Sequence, residues 1–309
     1  MKLLTLNTHS LHGSDWEQKL EWFVEGVLQE QPDIIALQEV NQTMTAQAAE
    51  NMLTEGQTDV SDRVQVKRDN FAAQAVYRMR QLGVDCFWAW LPVKEGYHKY
   101  DEGVAILSVS RKIRKTAVFP ISRTWDDQDW RTRAVLGVQV EGCSDWFYTV
   151  HTGWWQDAEE PFLEQWERLM AQIENPSPET TVWLMGDFNA PDIFSDQSYA
   201  HICKSGWQDT HITAKEKGND FTAGGGIDGW IRGLTSIGCS SPCLAMLSAS
   251  SPRASSSKSL RGCERFGSIS DIFSLTAPPF SSLSFSIKIA PRPLPRPPIF
   301  FAISVSPLL

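Results

Sequence analysis

The sequence predicts a soluble α/β protein, and three observations support this prediction. Short apolar runs typical of buried strands alternate with segments whose apolar residues follow helical spacing. A chain of 309 residues is long enough for one large α/β domain or two small ones. The composition, with 42% hydrophobic and 21% charged residues, is that of a globular protein.

Strands and helices alternate through the first half of the chain. Ser14 or Asp15 can cap the first helix, because either side chain accepts hydrogen bonds from free helix amides. Pro32 ends that helix, since proline cannot continue it. The predicted elements are a strand at residues 2–7, a helix with Leu20, Phe23, Val24, Val27 and Leu28 on one face, a strand at 33–39, a loop with some helix at 41–70, a helix at about 71–82, a strand at 86–90, a polar aromatic loop at 96–103 and a strand at 104–108.

The second half continues the alternation. Glu141 and Gly142 form a turn between two apolar runs, which predicts a hairpin. The predicted elements are a strand at 133–140, a strand at 146–150, a helix with Phe162, Trp166, Leu169, Met170 and Ile173 on one face, a strand at 182–185, a short helix at about 194–203 and a glycine turn at 224–226.

Polar side chains lie where four of these strands end. Asn7, Glu39 and His151 each follow an apolar run, and Asp187 and Asn189 follow a later run. Residues two apart in an extended segment point to the same side, so the last pair faces one point. Carboxylate and amide oxygens suit Mg²⁺ or Mn²⁺, whereas an Asx turn that caps the strand is the alternative interpretation. The strand ends together predict one crowded site at one edge of a sheet.

Residue usage changes abruptly after Trp230. Residues 1–230 contain all 13 Trp, all 5 Tyr and all 6 His, and they carry 20 basic against 35 acidic residues, a net charge of −15. Residues 231–309 carry 8 basic against 2 acidic residues, a net charge of +6, with 19 Ser and 10 Pro and no Asn, Gln, Trp, Tyr or His. A disordered tail has such a composition, and so does a translation in the wrong reading frame.

The remaining composition indicates the compartment. No run approaches the roughly 20 apolar residues of a membrane span, and the first residues lack the apolar region of a secretory signal. The six cysteines show neither metal-ligand spacing nor an obvious disulfide framework. We therefore expect a reducing, cytoplasmic setting.

The polar strand ends lie in four short motifs. Leu6-Asn7-Thr8-His9, Leu37-Gln38-Glu39-Val40, His151-Thr152-Gly153-Trp154-Trp155 and Gly186-Asp187-Phe188-Asn189 resemble those of the endonuclease/exonuclease/phosphatase family of DNase I-like nucleases, neutral sphingomyelinases and inositol-polyphosphate phosphatases. The motifs occur in family order within residues 1–230. The segments at 7–10, 38–42, 101–108 and 227–230 also resemble the bacterial branch that contains maltose 6′-phosphate phosphatase.

The resemblance implies a four-layered α/β sandwich, in which two packed mixed sheets are flanked by helices, with an incomplete C-terminus. It implies that Glu39 is the principal ligand of Mg²⁺ or Mn²⁺ and that Asn7 lies beside it. Asp187 is expected to orient or deprotonate the attacking water, and Asn189 to hold a phosphate oxygen or the metal shell. His151 is expected to donate a hydrogen bond to the phosphoryl group; an imidazole satisfied by a backbone carbonyl is the alternative.

The chain departs from the family after residue 230. Family members end with a strand close to Ile-Asp-Tyr-Ile-Phe and a Ser-Asp-His whose Asp-His pair supplies the general base, but residues 231–309 contain no His. A frameshift near codon 231 explains both this loss and the change in composition. We therefore expect a catalytic domain at 1–230 that lacks its final strands, followed by an atypical tail at 231–309. The prolines at 291–298 otherwise resemble a polyproline linker or SH3 ligand.

The expected substrate is a small sugar phosphate, cleaved as a phosphomonoester. The acidic charge of residues 1–230 disfavours a polynucleotide, which attracts basic proteins. A phosphodiesterase acting on sphingomyelin or DNA, and an inactive binding protein or misfolded product, are the alternatives. The residues expected to contact the phosphate are Arg131 and Arg133, with Lys99 as a further candidate, and simple solvation is their other interpretation. The aromatic residues expected to stack on the sugar, or to contact a lipid, are Tyr97, Tyr100, Trp154 and Trp155, with core packing as their other interpretation.

Overall fold

The computed structural model describes residues 1–154, 157–173, 180–189, 198–213 and 215, and the backbone of three strands beyond them. Among these residues, no helix is long and apolar enough to cross a membrane. The elements in chain order are β1 (Leu3–Asn7), α1 (Trp16–Glu30), β2 (Ile34–Thr43), α2 (Asn51–Thr54), α3 (Phe71–Gln81), β3 (Cys86–Gly96), β4 (Tyr100–Val109), β5 (Ile113–Pro120), β6 (Ala134–Val140), β7 (Trp146–His151), α4 (Phe162–Gln172), β8 (Thr181–Asp187), α5 (Ser198–Lys204), β9 (Gln208–Asp209), α6 (Thr210–Thr213), β10 (Leu244–Ser250), β11 (Arg265–Ser268) and β12 (Phe301–Ser304).

The strands form two mixed sheets. The first sheet has the order β1-β2-β4-β3, and the second has the order β5-β6-β7-β8-β10-β9. In each sheet one pair of strands is parallel, β1 with β2 in the first and β7 with β8 in the second. Each of these pairs has a helix in its connection, as a parallel crossover requires.

The two sheets pack face to face, and helices cover their outer faces. Side chains from both sheets, such as Ile106 and Phe147, share one buried cluster between them. The outer face of the first sheet packs against α1 and α3 through residues such as Phe23 and Phe71. The outer face of the second packs against α4 through residues such as Trp166. The prediction of a four-layered α/β sandwich is therefore confirmed.

The largest difference from the sequence prediction lies between β3 and β4. The predicted polar loop at residues 96–103 is mostly strand, because β3 runs to Gly96 and β4 begins at Tyr100. Only Tyr97, His98 and Lys99 remain outside the two strands. The sequence also gave no sign of β5, which is an edge strand with several exposed side chains.

The strand next to β8 comes from the atypical C-terminal segment. Residues Leu244–Ser250 pair antiparallel with β8, with Leu244 opposite Asp187. Residues Arg265–Ser268 and Phe301–Ser304 form a separate parallel pair. The division of the chain at residue 231 stays a prediction, and the predicted glycine turn at 224–226 lies outside the described residues.

Candidate active site

The ends of the two parallel strand pairs bring the predicted polar residues together. Asn7 ends β1 beside Gln38 of β2, and His151 ends β7 directly opposite Asp187 of β8. Parallel neighbours end at the same edge of a sheet, and both pairs end at the same edge of the sandwich. The site therefore draws on both sheets, with Glu39 from the first facing Asp187 and His151 from the second.

The side chain of Asn7 joins the two carboxylates. Its Nδ2 donates to Glu39 Oε1 at 2.9 Å and to Asp187 Oδ2 at 3.1 Å. Its Oδ1 accepts the backbone amide of His9 at 3.1 Å. In this arrangement Asn7 presents donors to both acids, so it holds two negative groups close together that would otherwise repel each other.

Glu39 lies at an irregular point of its strand. The register of β2 with β4 shifts between Leu37 and Val40, and Glu39 has a positive φ of 51°. A bulge of this kind redirects a side chain out of the regular alternation. Positive φ in a residue other than glycine is costly and clusters at functional sites. His9 and Asn189 share this conformation, with φ of 43° and 42°.

The loop after β1 fixes the backbone of Glu39. The hydroxyls of Thr8 and Ser10 donate to the Glu39 carbonyl at 2.9 and 2.8 Å. Ser10 Oγ also accepts the amide of Asn41 at 2.8 Å. His9 Nδ1 lies 3.0 Å from Glu39 Oε2. Sequence reasoning placed this loop near the site but did not assign a function to His9, Thr8 or Ser10.

A second group of hydrogen bonds joins the His151 and Asp187 motifs. The amide of Thr152 donates to the Asp187 carbonyl at 3.0 Å, and its hydroxyl donates to the carbonyl of Phe188. Asn189 Nδ2 donates to the Thr152 carbonyl at 2.9 Å, and the Asn189 amide donates to Asp187 Oδ1 at 3.0 Å. Thr152, which the sequence did not single out, is therefore a positioning residue for Asp187 and Asn189.

Burial and local hydrogen bonds give the carboxyl groups of Asp187 and Glu39 different pKa values. Burial raises the pKa of Asp187 to about 6, against the hydrogen bonds from Asn7 and the Asn189 amide. Burial also acts to raise the pKa of Glu39, but the hydrogen bond from His9, the nearby His151 and the hydrogen bond from Asn7 together outweigh it and hold that pKa below its usual range. At neutral pH the two carboxylates therefore differ in their affinity for a proton.

His151 is neutral in this environment. Burial and the nearby positive charge of Arg133 lower the pKa of His151 to about 3. Its Nε2 lies 4.0 Å from Glu39 Oε1. A neutral imidazole still carries one N–H, so His151 can donate a hydrogen bond without carrying charge.

Arg133 is a buried cation next to His151. It is 6% exposed, and its Nη1 donates to the carbonyls of Trp130 at 2.7 Å and Thr132 at 2.9 Å. Its Nε is buried and has no hydrogen-bond partner within the described residues. A cavity of about 10 Å³, room for one water, is lined by Arg133, Lys94, Glu102 and His151. Lys94 and Glu102, 3.2 Å apart, were not predicted from the sequence.

The other residues that were predicted to contact the substrate have surroundings that differ from those of Arg133. Arg131 pairs with Asp157 at 3.3 Å and Glu159 at 3.1 Å, which leaves little of its charge for a phosphate. Tyr100 is buried and its hydroxyl donates to the Leu11 carbonyl at 3.0 Å, so the expectation that it contacts a sugar is corrected: its ring is part of the interior. Trp154 is partly buried, and Trp155 lies outside the described residues.

The donor set around Glu39 suits a hard divalent cation. Within the described residues no group of three or more His, Cys, Asp or Glu is arranged to hold a metal ion. Glu39 is a partly exposed carboxylate, and Asn7 reaches it through its nitrogen rather than its oxygen. Mg²⁺ is commonly held by one or two carboxylates while it keeps several waters. Glu39, whose carboxylate accepts a hydrogen bond from Asn7, is therefore the residue that would hold such an ion.

Comparison of the sequence with family models gives one match. The model described as the endonuclease/exonuclease/phosphatase family matches residues 4–233, more than half of the chain. No curated protein matches the sequence significantly.

Solved structures share the fold. An endonuclease/exonuclease/phosphatase family protein from Leptotrichia buccalis is 24% identical, with a TM-score of 0.67 over 80% of this chain and 87% of that one. A mannosyl-6-phosphatase from Bacteroides thetaiotaomicron is 16% identical, with a TM-score of 0.53 over 86% and 88%. A functionally unknown conserved protein from Enterococcus faecalis is 16% identical, with a TM-score of 0.51 over 80% and 87%. At sequence identities of 16–24%, the similarity to these structures shows a shared fold.

Proposed function

Because the chain belongs to the endonuclease/exonuclease/phosphatase family, we propose that it is a metal-dependent phosphohydrolase, and that its substrate is a small sugar phosphate cleaved as a monoester. The observation that carries this proposal is the cluster at the strand ends. There Asn7 bridges Glu39 and Asp187, and the buried guanidinium of Arg133 lies beside His151. Attack of water on phosphorus needs a group that positions the water and positive charge that stabilises the phosphoryl group. The two acids and the one cation of this cluster are suited to these tasks.

Each side chain has a separate task in this reaction. Asp187 orients the attacking water and accepts its proton, since a base with a pKa near 6 is ionised at pH 7 and still able to take a proton. His151 donates a hydrogen bond to a phosphoryl oxygen as negative charge grows on it. Arg133 balances that charge from a buried position, where electrostatic attraction is stronger than in water. Asn189 holds a phosphate oxygen or the metal shell.

Glu39 would hold Mg²⁺ or Mn²⁺, and the ion would supply a Lewis acid to offset the negative charge of the phosphoryl group. Glu39 is suited to this position because its pKa is held below the usual range, so the carboxylate stays charged. The hydrogen bonds from Thr8 and Ser10 to its backbone carbonyl hold the backbone of Glu39 in place. The contacts of Asn7 and His9 with its side-chain oxygens orient the carboxylate.

The charge of the chain favours a small substrate. Residues 1–230 carry 20 basic against 35 acidic residues, and a surface of that sign repels polynucleotides. One solved structure of the same fold is a mannosyl-6-phosphatase. Mannose 6-phosphate is therefore the first substrate to test.

The test compares phosphate release from mannose 6-phosphate with cleavage of bis(p-nitrophenyl) phosphate, with Mg²⁺ and with EDTA. We expect release from the monoester that EDTA abolishes, and a loss of roughly 100-fold or more in kcat/KM for Glu39→Ala. Glu25→Gln, an exposed carboxylate of α1, is the matched control and keeps full activity. Faster cleavage of the diester would favour a phosphodiesterase, and undiminished Mg²⁺-dependent activity of Glu39→Ala would overturn the assignment.

We further propose that residues 231–309 are read in a shifted frame. The change in composition after Trp230 and the end of the family match at residue 233 fall at the same place. Sequencing the coding DNA across codons 225–309 tests this. Another frame that encodes Ile-Asp-Tyr and then Ser-Asp-His would support the proposal, and the restored chain should be far more active than this one. Absence of such a frame would refute it.

A further inference from the structure

An aromatic wall extends outward from Glu39. His9 Nδ1 lies 3.0 Å from Glu39 Oε2. The His9 ring packs edge-on against His12, with 4.4 Å between ring centres. The His12 ring in turn packs against Tyr97 at 4.7 Å and an angle of 32°. These three rings form a continuous wall, the His9–His12–Tyr97 wall, that begins at the proposed metal ligand.

The outer end of the wall is exposed. Tyr97 is 63% exposed, which makes it the most exposed large hydrophobic side chain within the described residues. One face of its ring is covered by His12, and the exposed fraction leaves ring surface free for a ligand. An exposed aromatic ring next to the candidate site offers apolar surface on which a ligand can pack.

The position of Tyr97 is held by strained backbone. Tyr97 and His98 occupy the tip of the β3–β4 hairpin, where the Lys99 amide donates to the Gly96 carbonyl at 3.0 Å. Both have positive φ, 53° and 52°. Hairpin positions of this kind favour Asn, Asp and Gly. A tyrosine at this position makes the turn less stable than Asn, Asp or Gly would, which indicates that the tyrosine ring has a function there.

The hairpin tip is also fixed to the loop that carries the histidines. Buried Tyr100 donates its hydroxyl to the Leu11 carbonyl at 3.0 Å, and Lys19 Nζ donates to the His12 carbonyl at 3.3 Å. His12 and Tyr97 are therefore held in a defined relative position before any ligand arrives, which lowers the entropy cost of binding.

We propose that Tyr97, supported by His12, is the residue that recognises the leaving group, and that its exposed ring binds the face of a sugar ring. This proposal rests on the proposed function, since it places the sugar on the outer side of Glu39 while the phosphate lies among Glu39, His151 and Arg133. A sugar ring has one face of C–H groups that packs on an aromatic ring, and its hydroxyls stay in water. An open-chain phosphate offers no such face.

The test measures selectivity for a ring. Mannose 6-phosphate is compared with glycerol 3-phosphate, which has the same phosphate and no ring. The variants are Tyr97→Asn, Tyr97→Phe and His98→Ala. Asn tolerates positive φ, so Tyr97→Asn folds with a Tm no lower than the unmodified chain. Its kcat/KM ratio of mannose 6-phosphate over glycerol 3-phosphate should fall about five- to tenfold, mainly through KM.

The two other variants are controls. Tyr97→Phe keeps the ring and should keep the ratio. His98→Ala alters the neighbouring turn residue, whose side chain is 94% exposed, and should also keep it. An equal loss for both substrates in Tyr97→Asn, or the same loss of selectivity in His98→Ala, would overturn the proposal.

A binding measurement separates this proposal from the proposed function. Titration calorimetry of mannose 6-phosphate and glycerol 3-phosphate on the full chain needs no turnover. Tighter binding of the ring compound that is lost in Tyr97→Asn would support the proposal even if neither compound is hydrolysed. Equal binding of the two compounds would overturn it, whatever the activity. Preferred binding of a nucleoside monophosphate would indicate that the wall recognises a base instead.

Discussion

The side-chain nitrogen of Asn7, Nδ2, lies 3.1 Å from Oδ2 of the Asp187 carboxylate, although the two residues are 180 positions apart and belong to different sheets. The same nitrogen donates to Glu39 at 2.9 Å. One short side chain therefore sets the distance between the proposed metal ligand and the proposed base. The geometry of the site depends on how the two sheets pack, since neither sheet alone contains both acids.

Asn7→Ala removes this bridge and should impair catalysis more than folding. The two carboxylates lose a shared donor and repel each other, so their separation grows. We expect kcat/KM for the sugar phosphate to fall about 10- to 100-fold. Circular dichroism should show an intact fold. Asn51→Ala, at an exposed position of α2, is the matched control, and an equal loss of activity in both variants would contradict the assigned role of Asn7.

The pH dependence of activity should report Asp187. Burial raises the pKa of this carboxyl to about 6, and the base acts only when it is ionised. Activity should therefore rise with pH through about 6 and fall about tenfold for each unit below it. Because the Asn7 hydrogen bond lowers the pKa of Asp187, the midpoint should move to higher pH in Asn7→Ala. A midpoint that stays at the same pH in this variant would argue that another group limits the rate.

The residues of the site were predictable because strand ends were predictable. Asn7, His151 and Asp187 end their strands as expected, and parallel pairing brings such ends to one edge of each sheet. Glu39 instead lies within β2, at the bulge before the strand continues to Thr43. The sequence could not show which atoms face each other. That the nitrogen of Asn7 points to both acids follows from the His9 amide, which occupies its oxygen.

The errors concern side chains whose burial depends on distant partners. Tyr100 is a residue that sequence reasoning assigns to the surface, yet its hydroxyl is satisfied inside the protein by Leu11, 89 positions away. Arg133 is also buried, although it is charged, and its predicted contact with a phosphate stays a prediction. Residues 96–103 were assigned to a loop because the segment is polar and aromatic, yet β4 begins at Tyr100, where Asp101 and Glu102 are buried.

Glu102→Gln should destabilise the protein strongly. Glu102 is 8% exposed and lies 3.2 Å from Lys94, and its negative charge faces Arg133 as well. Removing it leaves Lys94 without its ion-pair partner and takes from Arg133 the carboxylate that stabilises its charge most. The loss should cost about 3–5 kcal/mol of the free energy of unfolding. Urea denaturation measures this change.

Glu141→Gln is the matched control for this prediction. Glu141 pairs with Arg114 on the surface, where both side chains are more than half exposed. Solvent screens that pair, so its loss should cost less than about 1 kcal/mol. Equal losses in Glu102→Gln and Glu141→Gln would show that the charge of Glu102 is not buried in solution.

Two glycine substitutions should change stability in opposite directions. A Cβ on Gly186 would lie 1.8 Å from the Val150 carbonyl oxygen of the parallel neighbour β7, and a clash with backbone cannot be relieved by a change of rotamer. Gly186→Ala should therefore lower the free energy of unfolding by about 3 kcal/mol. The clash should also push β7 and β8 apart. Because Gly186 directly precedes Asp187, this displacement should reduce activity.

Gly26→Ala gives the contrasting result. Gly26 lies within α1, and a Cβ there would meet no atom within 4 Å. Alanine has a higher helix propensity than glycine and restricts the unfolded chain, so the variant should gain about 1 kcal/mol. Thermal unfolding of both variants, together with their activity, tests the packing of β7 on β8. If Gly186→Ala were as stable as Gly26→Ala, the two strands would have to be farther apart than the structure places them, and Asp187 would no longer be held opposite His151.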